Sequence, residues 1–255
     1  MTWSATLWIG VLLGLAATSS PARGQATATD AAGDLGTTVH EHALASGTAA
    51  TSAGDEPVSL PQAAEWTQRE PGNASAWVAL GNAQRVLAQP GDAVTAYQRA
   101  LQIDAKRVDA WVNLGMTHDQ LKQPEQAVAA YRQGLRLNLD VPVAWYNLGN
   151  TLRDLGRHAQ AIGAYRQVLR LDPQHSNAWN NLGLALAGLK RYPDAIAAYQ
   201  QAVQIEPRFA RAWAGLALAQ GAAGQQAEMI ASYRKLRSLD AVLSDMVFDT
   251  LIDPL

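Results

Sequence analysis

The 255-residue chain has no cysteine. That excludes disulfides, thiolate nucleophiles, cysteine-ligated zinc and a lipid-modified cysteine anchor, and it fits any redox compartment. Phenylalanine occurs only twice and charged residues make up 16%, with a formal net charge of −2. Long apolar runs are also missing. The longest, Leu7 to Thr18 (LWIGVLLGLAAT), is too short for a comfortable membrane span and has the length of a signal-peptide core. There is no Gly-x-Ser-x-Gly elbow, no phosphate loop of the Gly-x4-Gly-Lys-Ser/Thr type and no glycine-rich dinucleotide fingerprint. The histidines are scattered. His118 sits at a packing position, His158 and His175 fall in expected turns, and Asp154 and Asp172 belong to different turns. No catalytic residue, metal site or cofactor is therefore assigned.

What is present is a 34-residue period. Trp77, Trp111, Trp145, Trp179 and Trp213 are equally spaced, and each opens a segment that repeats the one before. With the tryptophan as position 4, position 7 is Leu80, Leu114, Leu148, Leu182 and Leu216. Position 8 is Gly81, Gly115, Gly149, Gly183 and Ala217. Position 20 is Ala93, Ala127, Ala161, Ala195 and Met229, and position 24 is tyrosine throughout: Tyr97, Tyr131, Tyr165, Tyr199 and Tyr233. Apolar or small residues at 4, 7, 8 and 11, and again at 20, 24, 27 and 30, make two amphipathic helices per unit. Breakers such as Gln89-Pro90-Gly91, Gln123-Pro124 and Leu155-Gly156-Arg157 separate them, and Asp172-Pro173 and Glu206-Pro207 close two units. A single hairpin cannot hide its apolar face, so the units must stack.

These residues are those of the tetratricopeptide repeat, and the chain resembles that family. AWYNLGNTLRDLGRHAQAIGAYRQVLRLDP (144–173) and AWNNLGLALAGLKRYPDAIAAYQQAVQIEP (178–207) are similar to repeats of the O-linked N-acetylglucosamine transferase targeting domain. The resemblance implies an all-α fold, a right-handed superhelical solenoid of helix-turn-helix repeats over 74–107, 108–141, 142–175, 176–209 and 210–243. Ala105, Leu139 and Ala241 depart from the closing proline, and Met229 and Leu236 replace small residues, so a splayed fifth unit is expected.

The flanks complete the organisation. Residues 1–22 read as a signal peptide or an uncleaved anchor, with small residues suited to cleavage after Ala22 or Ala26 and no Lys or Arg ahead of the apolar run. Residues 23–57, rich in Ala, Thr, Gly and Ser, read as a disordered tether in which His40-Glu41-His42 is inert. A capping helix is expected over 58–71, with Ser59 as N-cap and Gln62 at the reciprocal capping-box place. An acidic amphipathic helix is expected in 240–255, with Leu243, Val247 and Leu251 as its stripe and residues 244–255 beyond the fifth unit; it caps the array or docks a partner.

Charge is divided unevenly. Residues 58–239 hold 19 Lys+Arg against 13 Asp+Glu, whereas 23–57 hold one Arg against five acids and 240–255 hold four Asp. Arg132, Arg136, Arg166 and Arg170 recur on second helices without interleaved aromatics, the pattern of a solvated face rather than a nucleic-acid surface.

Function is then expected on the surface formed by the first helices, which line the concave side in this family. Positions 2, 5, 6, 9 and 12 should face that groove. The candidate groove residues are Asn82, Arg85, Asn113, Tyr146, Asn147, Asn150, Arg153, Asn181, Leu184 and Leu218, polar in the first units and apolar toward Leu184, Ala187, Ala214 and Leu218. Val78 stands where carboxylate-clamp members of the family carry lysine, although Asn82 and Asn113 match their asparagines. Asn113, Asn147 and Asn181 match the peptide-holding asparagines of the transferase, and an amide can donate to and accept from the backbone of an extended chain.

The resulting expectation is an exported, periplasmic or secreted scaffold that binds an extended or helical segment of a partner protein, with no nucleic acid, cofactor or obligate small molecule. The alternatives are a membrane-tethered subunit of a secretion or cytochrome-maturation complex, facing outside the cytoplasm, and a targeting module for a glycosyltransferase.

Overall fold

The computed structural model describes residues 58–252. The expected signal segment, the tether, His40-Glu41-His42 and the last three residues lie outside them. Twelve helices fill the described residues: α1 Leu60–Arg69, α2 Ala74–Val86, α3 Pro90–Ile103, α4 Val108–Gln120, α5 Pro124–Leu137, α6 Pro142–Asp154, α7 His158–Leu171, α8 Ser176–Gly188, α9 Tyr192–Ile205, α10 Ala210–Ala222, α11 Gln226–Leu239 and α12 Ala241–Ile252. No described helix is long and apolar enough to cross a membrane. The described chain forms two compact units, 58–147 and 148–252.

In the first unit α2 packs on α3 and α4 on α5 as hairpins, and α1 packs on α2. At the start of α1, Gln62 Oε1 accepts from Ser59 N (3.0 Å) and Ser59 Oγ (2.7 Å), the reciprocal half of the expected capping box. Asn73 Oδ1 caps α2 by accepting from Ser75 N at 2.9 Å. In the second unit α8 packs on α9 and α10 on α11, while α12 lies against both α10 and α11.

The period has a physical basis in three contacts. The tyrosine ring at position 24 lies on the position-8 glycine. A Cβ built on Gly81, Gly115, Gly149 or Gly183 would come within 2.6–2.7 Å of a ring carbon of Tyr97, Tyr131, Tyr165 or Tyr199. All four tyrosines are fully buried. Each tryptophan donates Nε1–H to the backbone carbonyl six residues earlier: Trp77 to Pro71 (2.9 Å), Trp111 to Ala105 (2.9 Å), Trp145 to Leu139 (2.8 Å), Trp179 to Pro173 (2.9 Å) and Trp213 to Pro207 (3.0 Å). Because the acceptor is backbone, the departures from proline at Ala105 and Leu139 leave this tie intact. Position 15, finally, is left-handed in every unit: Ala88, Lys122, Gly156, Lys190 and Gly224 have φ between 56° and 77°. The next residue's N–H closes a bond to the carbonyl five residues back, as in Gln89 to Gln84 and Arg157 to Leu152, and so ends the first helix.

The fifth unit, where splaying is expected, packs differently from the others. α10 and α11 remain packed, and it is the tyrosine that moves. Ala217 carries the Cβ that glycine omits elsewhere, so Tyr233 cannot take the buried ring position. It is half-buried instead, its ring centroid 6.0 Å from that of Phe248 on α12. Leu236, larger than the residues at its place in the other repeats, is fully buried, and Ser232 Oγ donates to Gln220 Oε1 at 2.8 Å.

Candidate functional site

The first helices carry the candidate groove residues, and two of the asparagine sets are joined in the same way. In the first unit Asn82 Oδ1 accepts both from Tyr97 Oη (2.7 Å) and from Asn113 Nδ2 (3.0 Å). In the second unit Asn150 Oδ1 accepts from Tyr165 Oη (2.8 Å) and from Asn181 Nδ2 (2.9 Å). Each triad links position 24 to position 9 of its own repeat and position 9 to position 6 of the next. The tyrosine is wedged on its glycine, so its hydroxyl fixes the first amide, which orients the second. The period shows the tyrosine but not the triad. Its only sequence trace is that asparagine stands at position 9 in the first and third repeats, with Met116, Leu184 and Leu218 in the others.

Where position 9 is not asparagine the hydroxyl behaves differently. Tyr131 Oη donates to Asp119 Oδ2 at 2.7 Å, and burial, followed by the Asp119 charge, pushes its pKa well above the usual tyrosine range. Tyr199 has Leu184 at that place and no hydrogen-bond partner for its buried hydroxyl. Its ring is held between Gly183 and Gly215, whose added Cβ atoms would lie 2.7 and 2.5 Å away, and burial raises its pKa strongly. Tyr97 is pushed up to about 12, by burial, with Arg85 opposing.

The two arginines differ in setting. Arg85 is half-buried near Tyr97, and its Nε is a buried donor without a partner. Arg153 is buried and pairs through Nη2 with Asp154 Oδ1 at 2.8 Å. His158 is not a solvated turn residue. It opens α7 with its ring against Gly188, and burial, then Arg153, lowers its pKa. His118 is buried as expected, with Nδ1 2.7 Å from Gln123 Oε1.

Several candidate positions are less open than their register implies. Asn113 and Asn181 are each 9% exposed, because the amide-to-amide bridge draws them into the seam between adjacent first helices. Leu218 is fully buried, and Ala187 and Ala214 nearly so; these three do not line an open groove. Position 9 reaches the next first helix at Asn82 and Asn150, and α12 is the helix that packs on α10 after Leu218. Asn82, Tyr146, Asn147, Asn150 and Leu184 are half-buried. Among the described residues no cluster of His, Asp and Glu has metal-binding geometry.

Comparison with known proteins agrees with this architecture. The chain is similar in structure to a crystal structure of MamA, with 23% identity and a TM-score of 0.64 over 68% of this chain and 94% of that one. A MamA fragment from Desulfovibrio magneticus RS-1 matches with 18% identity and a TM-score of 0.63, covering 66% of this chain and 96% of the other. YrrB, described as a TPR protein with an unusual peptide-binding site, matches with 16% identity and a TM-score of 0.68 over 75% of this chain and all of its own. No curated protein sequence matches significantly. The tetratricopeptide-repeat family model matches residues 78–140, 112–174 and 146–208 in overlapping registers, and with the tyrosine, glycine and tryptophan contacts recurring unit after unit, the chain belongs to the tetratricopeptide-repeat family.

Proposed function

We propose that the chain is a non-catalytic scaffold that holds an extended or helical segment of a partner protein along its first helices. Family membership supports the general role, since tetratricopeptide arrays are protein–protein interaction modules. The peptide-binding part rests on one observation, the pair of tyrosine-held amide bridges, Asn82–Asn113 and Asn150–Asn181. An amide already locked by Tyr97 or Tyr165 loses little rotamer entropy when it bonds a peptide backbone, which is the advantage of preorganisation. YrrB is described as having a peptide-binding site, which is consistent with this use of the fold.

Each such hydrogen bond is worth on the order of 0.5–1.5 kcal/mol net, so the amides alone supply millimolar affinity. Tyr146 and Leu184, both half-buried, are the side chains that add anchoring to reach micromolar binding. The test is titration calorimetry with a partner captured from the native envelope fraction. N113A/N147A/N181A, with folding checked by circular dichroism, should bind about tenfold more weakly or worse; unaltered affinity rejects the amide site.

The proposed location is outside the cytoplasm, in the periplasm or secreted, on the strength of the short apolar run from Leu7 to Thr18 followed by small residues. N-terminal sequencing from the native host should find a start at Arg23 or Thr27. An intact Met1 in a cytoplasmic fraction would reject export, and an intact Met1 in membranes would favour the tethered alternative.

A further inference from the structure

The last helix is seated unlike the others. In earlier repeats the first helix starts at position 1 of its unit, as at Ala74, Val108, Pro142, Ser176 and Ala210. The corresponding start of a sixth unit is residue 244, yet α12 begins at Ala241, directly after Asp240, whose Oδ1 accepts from Leu243 N at 2.9 Å. The connection is three residues shorter than the repeat requires. The side chains of α12 therefore meet α10 and α11 out of the repeat's register.

The consequences are visible in burial. Of the α12 side chains described, only Ser244 and Val247 are buried, while Val242 is 75% exposed and Met246 and Phe248 are 45% and 43% exposed. By contrast α8, a helix in register, buries Ala178, Leu182, Gly183, Ala185, Leu186 and Ala187 among others. Yet the surface beneath α12 is well closed. In the earlier repeats the position-9 side chain reaches the next first helix, Asn82 to α4 and Asn150 to α8. By the same geometry position 9 of α10, Leu218, faces α12, and it is fully buried. Over residues 241–248, then, α12 sets few buried side chains against a helix whose Leu218 is fully buried.

The seam on the other side of α10 is tightly packed. Gly215 lies against the ring of Tyr199, so α10 stays on α8 and α9 by close contact.

We propose that α12 is a displaceable strap over the C-terminal end of the groove. It detaches from α10 while α8, α9 and α10 remain packed, and in doing so uncovers Ala214 and Leu218 as the apolar end of the binding surface. This rests on the reading of the first helices as a partner-binding face, but its test needs no partner.

The absence of cysteine from these 255 residues makes the test direct, because one introduced thiol is the only one among them. Leu218→Cys places it at the position inferred to face α12, Ala214→Cys one helical turn before it, and Ala185→Cys in the fully buried interior of α8 as the reference. Under native conditions, with helicity unchanged, the thiols at 214 and 218 should react with a thiol reagent at least about 100-fold faster than the one in α8, since local opening lies below global unfolding in free energy. Adding Val247→Ala, which trims the buried apolar contact of α12, should accelerate labelling at 214 and 218 by about tenfold and leave position 185 unchanged. Equal labelling of all three positions, or acceleration of all three by Val247→Ala, overturns the strap and makes α12 an integral part of the cooperative fold. Rapid labelling combined with unaltered partner affinity in the asparagine triple mutant would retain the strap and reject the amide groove.

Discussion

The first four hairpins and the fifth use the same tyrosine for opposite ends. In the first four the ring is fully buried on a glycine; in the fifth it lies half-exposed beside Phe248. The Cβ of Ala217 stands where the other repeats have glycine, and Met229 and Leu236 stand where they carry smaller residues. A repeat position that looks conservative, glycine to alanine, therefore bears on whether the tyrosine of a hairpin is fully buried or half-exposed.

Removal of the ring should split the two classes most widely. Tyr165→Ala leaves a buried cavity and should cost about 3–5 kcal/mol, whereas Tyr233→Ala should cost about 1 kcal/mol. Urea unfolding measures both, and equal losses would erase the distinction.

Alkaline pH probes the buried tyrosines from another side. The ordinary pKa of about 10 for Tyr97 is raised to about 12 in the folded chain. Burial favours the neutral phenol, so the stabilisation linked to it is fully present below pH 10 and is lost as pH rises through 12. Between those values stability should fall by about 1.4 kcal/mol per pH unit from this group, with Tyr131 and Tyr199 adding to the slope. Tyr97→Phe should flatten the fall in a series of urea midpoints at increasing pH.

The glycine half of the contact comes next in size. Gly149→Ala forces a Cβ to within 2.6 Å of the Tyr165 ring and should cost about 1–3 kcal/mol despite the better helix propensity of alanine. Gly163→Ala, on the open side of α7 with nothing within 4 Å of the new Cβ, should instead stabilise by about 0.5–1 kcal/mol. A destabilised Gly163→Ala would show that the space around these glycines does not set the outcome.

The hydroxyls give the smallest and most selective difference. Tyr165→Phe removes a donor to Asn150 and should cost about 0.5–1.5 kcal/mol. Tyr199→Phe removes a buried hydroxyl without a partner and should be neutral or stabilising. Loss of stability in both variants would mean that the Tyr199 hydroxyl is satisfied in solution, by a buried water for instance.

The lesson for reading such chains is specific to kinds of contact. The tryptophan, leucine and tyrosine register was legible because a helix turns every 3.6 residues and repeats its buried stripe wherever the pattern recurs. The departures from proline at Ala105 and Leu139 were legible but inconsequential, since the tryptophan bonds a carbonyl that every residue has. The groove was only partly legible. Asn82 and Asn113 could be placed on one side of their helices, but not joined, because their bond spans 31 residues and depends on how closely two helices approach. Leu218 was misplaced because the register of α10 says nothing of the helix packed over it.

The 34-residue period by itself therefore determined the helical hairpins, their turns and the family, all consequences of local periodicity and of residues that cannot continue a helix. Only the tertiary structure decided which amides pair, which hydroxyl is left without a partner, which tyrosine leaves the core and what α12 covers. Those outcomes turn on distances of a few ångströms between helices, where one Cβ or a three-residue change in a connection bears on the result.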